Sequence, residues 1–107
     1  MEKWLPLAVA LLVAFGCATQ ERAPEAAGAK NACISECRRE ILSGRNLSDG
    51  PCLLDTMPDY PGWVCDVAHS PRQAVDDLPA NQCGSFAKGK ASHFIEVTPD
   101  CIFIREY

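Results

Sequence analysis

The chain has 107 residues, seven of them cysteine, and a formal net charge of −4 at pH 7. Nucleic-acid binding requires a basic face, so this negative balance argues against a nucleic-acid partner. The same balance argues against electrostatic binding to anionic lipid headgroups. The length is enough for one small folded domain.

The N-terminus has the features of an export signal. Lys3 supplies a positive charge, and residues 5–15 form an apolar run that is shorter than the roughly 20 residues needed to cross a bilayer. Residues 13–16 (VAFG), followed by Cys17, resemble the lipobox of prokaryotic lipoproteins. This resemblance implies that residues 1–16 are a signal peptide and that Cys17 is acylated and anchors the protein to a membrane.

Ordinary secretion is the alternative, because the small residues on either side of Phe15 also fit cleavage by signal peptidase. Cysteine parity favours the acylation or the removal of Cys17, since either leaves an even number of cysteines and no odd thiol. We therefore expect a lipid-anchored protein on the extracytoplasmic side of the cell envelope. Release from the cell as a secreted protein is the second possibility.

Composition divides the exported part into a tether and a domain. Residues 18–30 are rich in Ala, Glu and Pro and carry no large apolar side chain, so residues 17–30 are expected to form a lipidated, flexible tether. Residues 31–107 then form the cysteine-rich domain. A domain of this size is marginal by packing alone, and small extracellular domains commonly add disulfides.

The strongest helical pattern covers residues 32–43. Ile34, Cys37 and Ile41 share one face, Asn31 can cap the first turn, and Gly44 suits the left-handed residue after a helix.

The strand patterns lie further along the chain. Residues 63–67 predict a short strand, residues 73–78 a turn of helix, and residues 92–97 and 101–106 a C-terminal β-hairpin. The expected hairpin register buries the aliphatic side chains together. It pairs Val97 with Ile102, Ile95 with Ile104 and His93 with Glu106. The fold class is therefore a small, disulfide-rich α+β domain.

Six cysteines remain for disulfides: Cys33, Cys37, Cys52, Cys65, Cys83 and Cys101. Cys33 and Cys37 lie along one helix face and rarely meet disulfide geometry with each other. We expect them to form two disulfides from the helix to other elements, with Cys65 and Cys101 as the natural partners. A third disulfide, such as Cys52–Cys83, would close a loop, although the sequence alone cannot fix the connectivity.

Zinc is the alternative use of these side chains, because Cys33-x3-Cys37 and Cys65-x3-His69 have ligand-like spacing. The export signal favours disulfides, so no metal and no cofactor is expected.

Three functions remain open. The leading one is a binding or structural module for an unidentified protein or small molecule, with Tyr60 and Trp63 as a candidate exposed binding tip. The second is a small hydrolase that uses His69 or His93 with an aspartate; Asp66 and Ser70 lie close to His69 in sequence. The third is a secreted inhibitor that acts through residues 48–62.

Overall fold

The computed structural model describes residues 22–107, so the predicted signal peptide and Cys17 lie outside the described range. These residues form an α+β domain with one main helix, as the sequence predicts, and a four-stranded sheet whose first strand the sequence did not predict. Helix α1 spans Arg22–Leu42 and the short helix α2 spans Gly84–Ala87. The strands are β1 (Cys52–Leu54), β2 (Trp63–Val67), β3 (His93–Val97) and β4 (Phe103–Glu106). Two 3-10 helices, Ala74–Asp77 and Pro79–Asn81, lie between β2 and α2.

The predicted start of the main helix is wrong. Helix α1 begins at Arg22 rather than near residue 32, so residues 22–30, assigned to the tether by composition, are helical. Asn31 therefore lies inside the helix and cannot be its N-cap. The predicted end is nearly right, because the helix ends at Leu42 and Gly44 follows with φ of 94°.

Two properties of the early residues explain this extension. Alanine has the highest intrinsic helix propensity. Ala26 and Ala29 also continue the apolar stripe of Cys33 and Cys37 at spacings of three and four residues, and all four side chains are buried. Packing against the domain therefore orders a segment that would not fold as an isolated helix.

The sheet has the order β1-β2-β3-β4. β1 and β2 are antiparallel, as are β3 and β4, but β2 and β3 are parallel. The sequence predicted the two inner strands but not their parallel pairing. This pairing sets Asp66 of β2 directly beside Glu96 of β3, on the same face of the sheet.

The predicted hairpin register is wrong. Ile95 lies opposite Glu106 and Val97 lies opposite Phe103, and the register shifts between Glu96 and Val97. The loop is longer than expected, because the Thr98 amide donates to the Ile102 carbonyl at 2.8 Å. As a result, the Ile102 side chain is 63% exposed instead of packing on Val97.

The cause of this longer loop is Cys101. Its side chain is buried, its backbone has φ of 68°, and its sulfur is bonded to Cys37 of α1. A left-handed residue at this point turns the chain toward the helix, so Cys101 cannot also serve as a strand residue. Strand β4 accordingly begins at Phe103 rather than at residue 101.

Three disulfides join these elements, which confirms the expected disulfide-rich domain. Cys33–Cys65 links α1 to β2, and Cys37–Cys101 links α1 to the β3–β4 loop. Cys52–Cys83 links β1 to the residue before α2. Cys65 and Cys101 are the partners that the sequence favoured for the two helix cysteines, although it did not assign which of them each helix cysteine takes, and Cys52–Cys83 is the loop closure that it suggested.

Both faces of β2 are buried, which distributes the core over two layers. Trp63, Cys65 and Val67 face α1 and belong to the larger buried cluster with Ile95 and Val97. Val64, on the opposite face, belongs to a smaller cluster that includes Cys83, Ala91, Phe86 and Phe94. The connection between β2 and β3 covers this second face, and the candidate site lies there.

Candidate ligand-binding cavity

A cavity of about 140 Å³ lies on the second face of the sheet. Its apolar wall is formed by Val64 of β2, Cys83 of a disulfide, Phe86 of α2 and Phe94 of β3. Phe86 and Phe94 meet edge to face, with ring centroids 5.0 Å apart. The remaining lining residues are polar or charged: Asp66, Arg72, Gln82, Glu96 and Arg105.

The two carboxylates of the cavity are buried side by side. Asp66 is 7% exposed and Glu96 is 5% exposed, and the parallel register makes them direct neighbours. Glu96 is neutralised on both oxygens, because Arg72 Nη1 donates to Oε2 at 3.0 Å and Arg105 Nε donates to Oε1 at 2.9 Å. Asp66 has no such partner: among residues 22–107, nothing donates to or accepts from its buried Oδ1.

This environment changes the protonation of Asp66. Burial of the carboxyl group, and after it the negative charge of Glu96, raises the pKa of Asp66 to about 8. The positive charge of Arg72 opposes this rise without cancelling it. A carboxyl group that is protonated at neutral pH offers one hydrogen-bond donor and one acceptor. Ionisable groups with shifted pKa values in a cleft are characteristic of functional sites.

Sequence reasoning missed the pairing of these acids. It considered Asp66 as a neighbour of His69 in sequence, and it gave Glu96 no role. The available signal was one acid inside each of two apolar strands, in WVCDV and in HFIEV. An acid at such a position must be paired, protonated or functional, because burying an isolated charge is costly.

His69 has an aspartate partner, but it is Asp76 rather than Asp66. The His69 Nδ1 atom lies 2.9 Å from Asp76 Oδ1, and the backbone amides of His69 and Gln73 both donate to Asp76 Oδ2 at 2.9 Å. Burial would raise the pKa of Asp76, but these hydrogen bonds and the His69 ring together lower it. Asp76 therefore holds a charged, structural position within the 3-10 helix Ala74–Asp77.

A groove of about 670 Å³ runs past His69 and Ser70. Within residues 22–107 no hydrogen bond joins the Ser70 hydroxyl to His69. His69 and Ser70 therefore line the same groove without a hydrogen bond between them, and the acid that contacts His69 is Asp76 rather than Asp66.

His93 does not pair with Glu106, and that expectation is corrected. Its ring stacks on Trp63 with centroids 4.4 Å apart, and its Nδ1 lies 3.0 Å from the backbone oxygen of Tyr107. The different hairpin register accounts for this, because Ile95 rather than His93 lies opposite Glu106. His93 therefore has an aromatic and a backbone partner.

The expected exposed tip at Tyr60 and Trp63 is not formed. Trp63 is 2% exposed and lies in the larger core cluster with the Cys33–Cys65 disulfide. Tyr60 is partly buried, and its hydroxyl and ring pack on Gly28 of α1. The longer helix explains this, since its first turns cover the loop that was expected to reach solvent.

The sulfurs of Cys33, Cys37 and Cys65 form disulfides, so the zinc interpretation of these three residues is wrong. One further group, Cys52 with Asp55 and Cys83, has ligand atoms within 4.8 Å of one another. Two of these atoms form a disulfide, and Asp55 accepts hydrogen bonds from the Gly84 and Ser85 amides at 3.2 and 2.8 Å. The group therefore serves to fix α2 against β1.

Among the described helices, none has both the length and the apolar character to span a bilayer. No protein-family model, no curated protein and no solved structure matches this chain.

Proposed function

We propose that this chain is an exported binding module, lipid-anchored through Cys17, whose disulfide-linked domain holds a small ligand in the Asp66–Glu96 cavity. The observation that carries the binding function is that Asp66, a residue that lines this cavity, has a buried and unpartnered Oδ1. Buried polar atoms are nearly always hydrogen-bonded, so a residue that lines a cavity and carries an orphan oxygen is well placed to receive a ligand.

Export is supported by the three disulfides and by the lipobox-like N-terminus. Disulfides of this kind form and persist in oxidising compartments outside the cytoplasm. Covalent rigidity also suits a binding module, because fewer groups lose freedom when the ligand binds.

The anchor is tested by mass spectrometry and membrane fractionation of the native protein. Acylation predicts that residues 1–16 are absent, that Cys17 carries lipid and that Cys17→Ser moves the protein from the membrane to the soluble fraction. An unmodified protein found in the medium would favour the secreted alternative instead.

Ligand binding is tested by NMR titration with benzyl alcohol as a neutral probe of suitable size. Binding in the cavity predicts shift changes at Val64, Phe86 and Phe94, and weaker binding for Phe86→Ala, which removes one wall. Ile102→Ala, a substitution on the exposed β3–β4 loop, is the matched control and should bind as the parent does. Equal titration curves for all three proteins would refute binding in this cavity.

A hydrolase that uses His69 is the second candidate, favoured by the 2.9 Å contact between His69 and Asp76 beside the larger groove. Holding Nδ1 against a carboxylate leaves Nε2 available as a general base. Hydrolysis of p-nitrophenyl acetate tests this: His69→Gln should lower the rate more than tenfold, while His93→Gln should not change it. Equal rates for the two variants would exclude this function.

A further inference from the structure

The charge distribution of the cavity narrows the class of ligand. We propose that it binds a small neutral molecule with an apolar body and a hydrogen-bond donor–acceptor pair, such as a primary carboxamide, and that Asp66 makes the polar contact. This inference rests on the proposed binding function and specifies the chemistry of the same site.

Size and apolar lining define the body of the ligand. The volume of about 140 Å³ is close to that of an engineered protein cavity of roughly 150 Å³ that binds benzene. Val64, Phe86 and Phe94 supply an apolar surface with aromatic faces and edges. A single ring or a short branched alkyl group fits this space.

The ion pairs of the cavity argue for a neutral ligand. Both oxygens of Glu96 accept from arginines, and Arg72 also donates to Asp77 through Nε at 2.8 Å. A cation would therefore find Glu96 already neutralised, and an anion would have to break one of these pairs. Removing one partner from a buried ion pair is costly because the other charge is left uncompensated.

Asp66 supplies the polar contact. The charged groups around Asp66 come from three elements. Glu96 lies beside it on β3, and Arg72 and Asp76 lie on the connection after β2. Arg105 of β4 contacts Glu96 rather than Asp66. From β1 the register partner of Asp66 is Cys52, which is in a disulfide and does not titrate. A protonated Asp66 can donate its O–H to an amide carbonyl and accept from the amide N–H, forming two hydrogen bonds to one ligand group.

The test uses three probes of nearly equal shape: benzamide, benzamidinium and benzoate. We expect benzamide to bind most tightly at pH 6 by NMR titration, with shifts at Val64, Phe86 and Phe94. Because the pKa of Asp66 is about 8, its protonated fraction at pH 9 falls to about a tenth, so benzamide affinity should fall about tenfold. Asp66→Asn keeps a donor and an acceptor that do not titrate, and should bind benzamide equally at both pH values. Asp100→Asn, on an exposed loop, should retain the tenfold change.

Each other outcome has a distinct meaning. Tightest binding of benzamidinium, increasing with pH, would overturn the neutral class and make Asp66 an ion-pair partner. Tightest binding of benzoate would also overturn the neutral class, and would indicate that the arginines of the cavity bind an anion. Either result leaves the cavity as a binding site. If none of the three probes, nor benzyl alcohol, shifts the cavity signals of the folded protein, the proposed binding function itself fails.

Discussion

Asp66→Asn should stabilise this protein at neutral pH, although it replaces a buried carboxyl group. Asp66 is 7% exposed and has an unpartnered oxygen, and its pKa is raised to about 8 by burial and by Glu96. In the unfolded chain the pKa of the same group is about 4. Between about pH 4 and about pH 8, Asp66 therefore keeps a proton in the folded state that it has released in the unfolded state.

The sign and size of this change in stability follow from proton linkage. A raised pKa contributes stability that is fully present below about pH 4 and is lost as pH rises to about 8. Each pH unit in this window removes about 1.4 kcal/mol, so about 4 kcal/mol is lost between pH 4 and pH 7 if the environment of Asp66 stays rigid. Small adjustments of Arg72 toward the carboxylate reduce this loss, and we expect about 2 to 4 kcal/mol.

Asparagine has nearly the shape of the protonated acid and does not titrate. The free energy of unfolding of Asp66→Asn should equal that of the parent at pH 4 and exceed it by about 2 to 4 kcal/mol at pH 7. Urea unfolding at pH 4, 5, 6 and 7, followed by far-UV circular dichroism, measures this difference. Asp100→Asn corrects for the loss of one charge. A constant difference between Asp66→Asn and the parent across these pH values would refute the assigned protonation of Asp66.

Three further predictions concern the disulfides, the packing of α1 and the contacts of Asp76. Replacing Cys52 and Cys83 by alanine should lower the free energy of unfolding by about 4 kcal/mol, measured by thermal unfolding, and should weaken benzyl alcohol binding. Replacing Cys37 and Cys101 should lower stability by a similar amount without changing benzyl alcohol binding, because of these four cysteines only Cys83 lines the cavity. Gly28→Ala should destabilise by about 1 to 2 kcal/mol, since its Cβ would lie within 3 Å of the Tyr60 ring and hydroxyl. In a Tyr60→Ala background the same change should stabilise by up to about 1 kcal/mol through helix propensity, and an equal effect in both backgrounds would contradict the packing argument. Asp76→Ala should cost about 2 to 4 kcal/mol in urea unfolding because two backbone amides and His69 lose their acceptor, while exposed Asp77→Ala should cost less than about 1 kcal/mol. Similar losses of stability at the two positions would show that the hydrogen bonds of Asp76 do not stabilise the fold as argued.

The sequence predicted the parts of this fold that depend on local pattern and covalent geometry. The spacing of Cys33 and Cys37 argued against a disulfide between them and favoured disulfides to other elements, which the structure forms with Cys65 and Cys101. The apolar run at residues 63–67 likewise indicated a short strand. In each case a local rule, helix geometry or strand composition, was sufficient.

The parts that failed depend on distant contacts. Ala26 and Ala29 look like linker residues until the sheet and Tyr60 pack on them, and the position of Cys101 is set by Cys37 rather than by its neighbours. The parallel pairing of β2 and β3 depends on a long connection, for which the sequence carries no register signal. Since that pairing alone brings Asp66 beside Glu96, the candidate site could not be predicted either.

The same pairing explains why the domain needs its cross-links. Two acids on adjacent parallel strands, one of them with an unpartnered oxygen, lower stability at pH 7 by about 2 to 4 kcal/mol, which is comparable to the gain from a single disulfide. A small domain without cross-links has little stability to lose. With three disulfides it can retain a buried acid that packing alone would not tolerate. A residue kept at such a cost to stability is typical of a site under functional constraint, which is the reason to look for the ligand at Asp66.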